Sequence, residues 1–589
     1  MNMELLAVAK GNKPADLVVT NGKIVNVYSG EIYEGGVAVC GDTIAAVGDV
    51  AYCIGEGTKV IDAQGNYLTP GFLDGHIHPE SSSLAIRPFA EAVLSHGTTG
   101  IMTDLHEVGV VSGLEGIEAV LKEAEATDLK VYFIVPSHVP FAPNLETSGG
   151  HFDPAIIRKA LQREDAVGLS ECVGHYIVAE HPELLESFDD TRALAGKTLQ
   201  GHLPAIYGPN MAACAAAGVA TCHESFCEQD VFERLRNGIH LQMREGSAAR
   251  NMQLGLLKTV IESGVDTTNV SIVTDDLHTC DLKDRGHMDD SLRTAFGQGL
   301  DFLKGIQMVT INCARSFKLD DKIGSLTPGR RADINITTGA EDFKVLSTFA
   351  GGKQITDNGE LLVHYETAEH DPCILNTMHL VNPITADSFK MHVSPTAKKA
   401  KVICMDTLPY IPFTSRRDVE LDVVDGVIQC DTEQDVLYIA QVERHGVNGN
   451  IGKAFMGGFH IKGGALASSV GHDNHNVIVM GDSFEDMALA VNRCVELGGG
   501  QVIVRNGEVA AEVAYPICGL MSDLSLDELA AQKKALNAVA YEMGTPIQIP
   551  FMFLCFICLA CIEAYAVTDK GFIDVEKCEI IDPILEVIE

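Results

Sequence analysis

Eight apolar, strand-like runs alternate with helical stretches across the first half of the chain, and this alternation limits the fold more than any other feature. The runs are YLTPGFLDGHIH, TTGIMTDLH, LKVYFIVPSH, AVGLSEC, TLQGHLP, GVATCHE, GIHLQMREG and VSIVTDD, between residues 67 and 276. Eight βα repeats of this total length match a closed parallel barrel. We therefore predict an α/β protein with a (β/α)8, TIM-like barrel, whose functional site lies where the strands end.

Two shorter strand-rich pieces flank the predicted barrel. DLVVTNGKIVNV and DTIAAVGDV lie before it and KIGSLTPGRRADINI after it, and Gly, Asn and Asp break them into strands with tight turns. We predict that they form one small β-sandwich domain, residues 1–70 plus 318–365, around a barrel of residues 71–317. Strands such as DVLYIAQVER then alternate with helices such as FEDMALAVNRCVELG, which predicts a separate α+β domain over residues 366–589.

Composition and charge exclude several classes of partner. The 589 residues include 43 basic and 81 acidic side chains, a formal net charge of -38, and such a field repels phosphate backbones. No secretory signal is visible at the N-terminal end. The longest apolar run, residues 551–562, has 12 residues, whereas a bilayer span needs roughly 20. We therefore expect a cytoplasmic protein that binds neither nucleic acid nor membrane, with this run buried as a strand or helix.

The 17 cysteines are scattered through the chain, which is typical of reduced, packed thiols rather than of a disulfide framework. Cys555, Cys558 and Cys561 have the spacing that begins an iron-sulfur run. The fourth cysteine and the following proline of that run are absent, and the neighbouring residues are apolar. Core packing is therefore the expected role of these three thiols.

Imidazole and carboxylate side chains stand at the C-terminal ends of the predicted barrel strands. They are His76, His78, Asp104, Glu171, His202, His223 and Asp275. A barrel gathers its strand ends into one ring, so these residues become neighbours that can share metal ions. Without metal such a buried ring would carry unpaired charge, whereas two divalent ions remove that cost and can hold a bridging hydroxide, a nucleophile at neutral pH.

Two motifs carry a family resemblance: PGFLDGHIHPESS at the start of the barrel and SLTPGRRADI in the small β domain resemble those of the amidohydrolase superfamily. Within it the chain is similar to the adenine deaminase family over nearly its whole length, through REGSAARN, TDDLH, RGHMDD, ERHGVNGNIG, ASSVGHDNHN and GLMSD. The resemblance implies hydrolytic deamination of adenine to hypoxanthine and ammonia, a step of purine salvage. It also implies a homodimer or a larger assembly of this chain.

The resemblance also implies two divalent metal ions and their ligands. One ion is expected between His76, His78, Glu171 and Asp275, and the other between Glu171, His202 and His223. Glu171 stands where many superfamily members carry a carboxylated lysine, and a carboxylate can bridge metals without modification. Ligands of this kind suit Mn²⁺, our first choice, as well as Fe²⁺ or Zn²⁺.

Proton transfer needs further groups in the predicted site. Asp275 is expected to take the proton from the attacking hydroxide and pass it to departing ammonia, while Asp276 caps the next helix. The acid that protonates a purine ring nitrogen is sought among Asp104, His106, Glu107 and Glu224, for each of which hydrogen bonding at the barrel rim is the alternative.

Substrate binding is assigned to five residues of the shared motifs: Arg244, His278, His472, Asp473 and His475. The last three belong to a polar group in the C-terminal domain. We expect this domain to lean over the barrel mouth and enclose the purine or a further metal, excluding water from the reaction, unless these residues merely form a turn.

The sequence departs from the family pattern in a few places. Cys222 stands where the family usually has an Asp before the strand-six histidine, and HPESS and GHYIV also differ from the expected residues. Two alternatives therefore stay open. One is a related amidohydrolase that acts on another purine or a cyclic amide, and the other is a homologue that binds metal and ligand without turnover, for which Cys222 is the main support.

Overall fold

The computed structural model describes residues 2–248, 250–408, 411–560 and 564–589, and a parallel barrel lies at its centre. Its strands are Phe72–Asp74 continued by Ile77–His78, Thr98–Thr103, Lys130–Pro136, Ala166–Val173, Thr198–His202, Val219–Cys222, His240–Arg244 and Val270–Val273 continued by Asp275–Asp276. Neighbouring strands pair in chain order. Asp276 of the last strand pairs with His78 of the first and closes the barrel. All eight apolar runs of the sequence thus contribute a strand.

Helices surround the barrel on its outer side. They are Ile86–Ser95, His106–Ala124, Pro154–Leu161, Gly174–Val178, Pro182–Ala193, Gly208–Ala217, Glu228–Arg236, Leu256–Ser263, Thr279–Arg285, Met288–Gly297, Phe302–Met308 and Ile311–Ser316. In the first of these, Ile86, Phe89, Ala90 and Val93 are buried, a spacing of three and four residues that places them on one face. The apolar stripe of such a helix covers the outer surface of the strands.

Strands from both sides of the barrel segment form one eight-stranded sheet. They are Leu17–Asn26, Glu31–Cys40, Thr43–Gly48, Lys59–Asp62, Tyr67–Pro70, Ile334–Thr337, Val345–Ala350 and Lys353–Gln354. Tyr67–Pro70 pairs antiparallel with Ile334–Thr337, which joins the two pieces. Alternate residues are buried on opposite faces, with Val19 in one apolar cluster and Val18 in another. The helix Met3–Ala9 begins the described chain.

A second large sheet forms the C-terminal domain. Its strands are Lys399–Leu408, Ile411–Val424, Val427–Ile428, Leu437–Val442, Ile451–Gly457, Gly464–Ser468, Val477–Gly481, Gly500–Arg505, Glu508–Ala514 and Ile584–Ile588. Helix Phe484–Glu496 packs on one face, which includes Val402 and Cys404. The alternate residues Ile403 and Met405 belong to the apolar cluster that continues into the barrel. Because side chains alternate along this strand, one set packs within the domain and the other joins the apolar cluster shared with the barrel.

Smaller elements complete the chain. They are the helices Leu526–Glu542 and Pro550–Phe556, the short hairpin Thr356–Asp357 with Glu360–Leu361, the strands Tyr565–Thr568, Gly571–Asp574 and Glu579–Ile581, and the 3-10 turns Ala51–Cys53, Pro79–Ser82, Thr267–Asn269, Ala340–Asp342, Pro372–Ile374 and Ala386–Phe389.

Most of the described part of the apolar run 551–562 is helical. Helix Pro550–Phe556 is largely buried, and within the described ranges no helix is long and apolar enough to cross a membrane. Cys555 and Cys558 are buried free thiols, and Cys561 lies outside the described residues. Every cysteine in the described part of the chain is free, as the sequence analysis expected.

Candidate active site

The carboxyl ends of the barrel strands bring three predicted metal ligands into contact. His76 Nε2 lies 3.5 Å and His78 Nε2 lies 3.4 Å from Asp275 Oδ1. The main chain supports this arrangement, because Asp275 donates its backbone N–H to the carbonyl of His76 at 2.9 Å. The two histidines thus point at one carboxylate where the first and last strands meet.

Glu171 lies at the centre of the remaining ligands. Its Oε2 lies 2.9 Å from His202 Nδ1, and its Oε1 lies 3.2 Å from His76 Nε2 and 3.6 Å from His223 Nε2. The rings of His76 and His223 stack with centroids 3.9 Å apart. One carboxylate therefore reaches imidazoles from three different strands.

Two of these carboxylates have strained backbones. Glu171 has a φ of 50° and Asp275 a φ of 61°, both in the left-handed region that residues with a side chain rarely adopt. Such a conformation costs on the order of 1–3 kcal/mol and is found mainly where it serves a functional geometry. Both strained residues stand at strand ends and point into the same cluster.

Burial and charge shape the protonation of the cluster. Burial alone would lower the pKa of His76, but the nearby carboxylates of Asp275 and Glu171 raise it to about 9. Burial would raise the pKa of Glu171, but the imidazoles of His223 and His202 hold it well below its ordinary value. Without metal, the buried ring thus places positively charged imidazole next to negatively charged carboxylates.

The residues present fit divalent metal ions. His76 Nε2 is buried and makes no hydrogen bond with the described residues, although carboxylate oxygens surround it. Among the described residues, four sets of potential ligand atoms each lie within 4.8 Å of one another, and three of them belong to this cluster: His76, His78 and Asp275; His76, Glu171 and His223; and His202, His223 and Glu224. Imidazole and carboxylate donors in such closed groups are typical ligands of Zn²⁺, Mn²⁺ and Fe²⁺.

Arg244 and Glu224 adjoin the cluster. Arg244 NH1 lies 2.7 Å from Asp275 Oδ2 and 2.9 Å from Glu224 Oε1. Glu224 Oε1 in turn lies 3.5 Å from His223 Nε2. Burial would raise the pKa of Asp275, but the Arg244 guanidinium holds it well below its usual range. Arg244 therefore contacts two carboxylates of the cluster.

Cys222 points away from this cluster. It is fully buried in the apolar cluster that includes Cys214, and its Sγ lies 3.8 Å from the carbonyl of Glu224. Because side chains alternate along a strand, Cys222 faces outward when His223 faces the ring. The missing carboxylate at this position therefore removes no ligand from the ring.

The segment after the second strand supplies three polar side chains. Asp104 Oδ1 lies 3.3 Å from His78 Nδ1. Both ring nitrogens of His106 are buried and lack a hydrogen-bond partner among the described residues. Glu107 lies in the first turn of the barrel helix His106–Ala124 and contacts the C-terminal domain.

The C-terminal domain meets the barrel at Glu107. His472 Nδ1 lies 3.1 Å from Glu107 Oε1 and 3.0 Å from Asp473 Oδ1, and His475 Nε2 contacts Glu107 Oε2. His472 Nε2 also lies 3.5 Å from Asp276 Oδ1. Despite burial, these carboxylates raise the pKa of His472 well above its ordinary value, and the imidazoles lower that of Glu107.

The structure bears on two predicted roles at the end of strand eight, those of Asp276 and His278. The N-cap role for Asp276 is wrong, because helix Thr279–Arg285 begins after His278, whose Nδ1 accepts the backbone N–H of Cys280. Asp276 instead belongs to the closing strand pair. His278 is buried and caps this helix. Among the described residues, it belongs to none of the groups of potential metal ligands.

Sequence reasoning missed a group of aromatic side chains beside the ligand ring. Phe141 lies with its ring centroid 5.8 Å from His202, 5.0 Å from His138 and 6.4 Å from His106. His138 Nε2 is buried without a hydrogen-bond partner in the described part of the chain. Burial and the charge of Asp473 raise the pKa of Glu146 to about 7. Ser137 and His138, which follow strand three, were the sequence signal for this group.

A barrel with metal ligands at its strand ends is typical of the metal-dependent hydrolases with this fold. Two protein families that match the chain agree with this class. The family described as "Amidohydrolase family" matches residues 67–355, and "Adenine deaminase C-terminal domain" matches residues 412–579. An adenine deaminase of Clostridium botulinum (strain ATCC 19397 / Type A) is 38% identical over 591 residues, 99% of this chain and 97% of that protein. One of Moorella thermoacetica is 38% identical over 98% of this chain and 97% of that protein.

These similarities extend over both the barrel and the C-terminal domain. The chain belongs to the adenine deaminase family of the amidohydrolases. A crystal structure of an adenine deaminase also aligns with it, at a TM-score of 0.45 and 18% identity over 58% of this chain and 100% of that one. The family models and the relatives confirm the predicted family, and the strands and helices described above confirm the barrel with its C-terminal α+β domain.

Proposed function

We propose that this protein deaminates adenine hydrolytically to hypoxanthine and ammonia, as a cytoplasmic enzyme of purine salvage. The observation that carries the proposal is the ring of His76, His78, Glu171, His223 and Asp275 at the strand ends, in a chain similar to adenine deaminases over 99% of its length. Water adds to C6, the bond from C6 to the exocyclic nitrogen breaks, and ammonia leaves.

The ring is proposed to hold two divalent ions, with Mn²⁺ as the first choice. His76, His78 and Asp275 would hold one, and His202 and His223 the other, with Glu171 between them, since its two oxygens face both groups. Glu224 adjoins the second group and can complete its ligands. Bound there, divalent ions act as Lewis acids that lower the pKa of water and make a strong nucleophile available at neutral pH.

Asp275 is the proposed proton carrier between water and the leaving ammonia. One of its oxygens faces the histidine pair and the other accepts a hydrogen bond from Arg244 at 2.7 Å. This bond fixes the carboxylate and keeps it ionised, ready to accept a proton. In this proposal Arg244 therefore acts on Asp275, whereas the sequence analysis assigned it to binding of the purine.

The purine is proposed to lie beside the ligand ring, next to Phe141. Phe141 offers an aromatic face, and the unpaired nitrogens of His106 and His138 can bond purine nitrogens. A buried imidazole without a partner costs free energy until a ligand satisfies it. His278 is a helix cap, so we assign it no contact with substrate.

Protonation of the purine ring is proposed to run through Glu107 and His472. The raised pKa of His472 keeps a proton on its imidazole, and Glu107 lies 3.1 Å away on the barrel. Glu107, whose lowered pKa keeps it ionised at rest, relays the proton: it accepts one from His472 in the same step in which it gives one to a ring nitrogen as C6 is attacked. Asp104, in contact with His78, is better placed to orient that ligand.

A substrate panel tests the proposal. Protein loaded with Mn²⁺ is given adenine, guanine, adenosine and a cyclic amide such as dihydrouracil, and ammonia release is measured. Turnover of adenine alone supports the proposal, turnover of another compound instead indicates a related amidohydrolase, and binding of adenine without ammonia indicates a non-catalytic homologue. Light scattering tests the further proposal that the chain forms a homodimer or a larger assembly, which a monomeric mass would contradict.

A further inference from the structure

The turn of residues 79–83 follows directly after His78. Ser81 in this turn donates its hydroxyl to the carboxylate of Asp276. Asp276 also pairs with His78 across the barrel closure. The position of the turn is therefore coupled to the position of the histidine pair at the end of the first strand.

The C-terminal domain holds the other end of this turn. The carbonyl of Ser83 accepts the backbone N–H of Ser522 at 2.9 Å, and Ala85 donates to the carbonyl of Ser522 at 2.8 Å. Lys533 Nζ donates to Ser83 Oγ at 2.9 Å. Ser83 has a φ of 57°, so this left-handed residue depends on its surroundings to keep its conformation.

Lys533 is an unusual residue for this position. Its side chain, on helix Leu526–Glu542, is only 2% exposed, and its ammonium lies 5.5 Å from the ring centre of Tyr515. Among the ion pairs of the described residues, none involves Lys533. Burial lowers the pKa of its amine to about 8, so the charged form still predominates at neutral pH.

A buried ammonium without a carboxylate destabilises the folded chain, and an apolar side chain of similar length would avoid this cost. Packing alone therefore does not account for a lysine here. Within the described residues the ammonium donates a hydrogen bond to the Ser83 hydroxyl, and that hydroxyl belongs to the turn that follows the histidine pair.

We propose that Lys533 is a positioning residue for the metal site: through Ser83 it fixes the 79–83 turn and thereby the orientation of His78. The inference rests on the proposed function only in taking His78 as a metal ligand. Lys533 touches neither substrate nor ligand, and the C-terminal domain uses it to set the geometry of a barrel strand end.

The test compares Lys533→Met with Lys534→Met in the full-length chain. Methionine keeps the length of the side chain and removes the charge and the donor. Lys534 is the matched control, since it follows in sequence but is half exposed and pairs with Asp284. Each protein is loaded with Mn²⁺, and the rate of metal loss to an excess of chelator is measured together with the melting temperature of the metal-free form.

We expect Lys533→Met to lose metal about tenfold faster, the low end for outer partners of metal ligands, and Lys534→Met to match the native protein. The melting temperature of metal-free Lys533→Met is expected to stay or rise, because the substitution removes a buried charge. A merely structural lysine would instead lower it and leave metal loss unchanged, which would overturn the proposal.

Ser83→Ala provides a second test if Lys533→Met does not fold. It should also speed metal loss. Where Lys533→Met does fold, the double variant should lose metal no faster than either single variant, because both substitutions remove one interaction. Native metal retention in Ser83→Ala would overturn the proposal. Because metal loss is measured without substrate, an absence of adenine deamination would leave this result interpretable.

Discussion

Glu107 and His472 join the barrel to the C-terminal domain, with 3.1 Å between Oε1 and Nδ1. Glu107 lies in the first turn of the helix after the second strand, and His472 follows the strand Gly464–Ser468 of the second sheet. The barrel supplies the ligand ring, and the C-terminal domain supplies the imidazole beside it. The active site is therefore proposed to need both domains.

Glu107→Gln tests this pair. The amide keeps the shape of the side chain but cannot carry a proton to the purine ring, so kcat should fall about 10²- to 10⁴-fold, the usual range for general acid catalysis. His472→Gln should have a similar effect, and the double variant should be little worse than either, because both act in one path. Steady-state kinetics with Mn²⁺-loaded protein measures this, and additive losses would contradict a shared path.

Arg244→Met tests the orientation of Asp275. Loss of the guanidinium leaves one oxygen of Asp275 without its hydrogen bond, and kcat should fall roughly 10- to 100-fold, as for other partners of metal ligands. Arg236→Met is the control, since Arg236 is exposed on a barrel helix. A rise in KM with unchanged kcat would instead support the substrate-binding role that the sequence suggested.

Cys222→Ala tests whether this position takes part in the chemistry. The thiol faces an apolar cluster rather than the ligand ring, so kcat should stay within about twofold of the native value while stability falls by about 1 kcal/mol. Ammonia release and thermal melting measure the two effects. A loss of metal or of most activity would show that Cys222 reaches the ring.

Stability should depend on pH through His370. Its imidazole contacts Asp523 at 2.6 Å and Glu123 at 2.9 Å, and hydrogen bonds to both raise its pKa to about 9. The ordinary value in an unfolded chain is about 6.5. A pKa raised by folding gives stabilisation that is complete below pH 6.5 or so and is lost as the pH rises through about 9.

The variant His370→Gln should therefore be less stable than the native protein at pH 6 by about 1–2 kcal/mol, after allowance for solvent screening at the partly exposed Asp523. The difference should shrink at pH 10. His364→Gln is the control, because His364 is 76% exposed although it also contacts a glutamate. Thermal melting at both pH values measures the difference, and an equal loss at pH 6 and pH 10 would exclude the charge of His370 as its source.

The sequence predicted the barrel and much of the ring, because both follow from local pattern. His76, Glu171, His202 and Asp275 end apolar runs of strand length, and a parallel barrel necessarily gathers such ends. The outward direction of Cys222 also follows from the period of two, given that His223 faces inward. These features needed no knowledge of long-range contacts.

Other features could not be read from local pattern. Asp276 looks like a helix cap in TDD, but pairing with His78 keeps it in a strand and delays the helix until Thr279. The contact between Glu107 and His472 depends on how two separately patterned domains pack. Phe141 lies in a loop, and loop conformation carries no periodic signal.

The central claim is most directly tested by measuring ammonia and hypoxanthine from adenine with Mn²⁺-loaded native protein and with Asp275→Asn. The account predicts turnover by the native protein and a loss of at least about 10³-fold in the variant, since Asp275 is both ligand and proton carrier. Metal content is measured in both samples. Adenine turnover that persists in the variant would contradict the mechanism, and its absence from the metal-loaded native protein would contradict the proposed function itself.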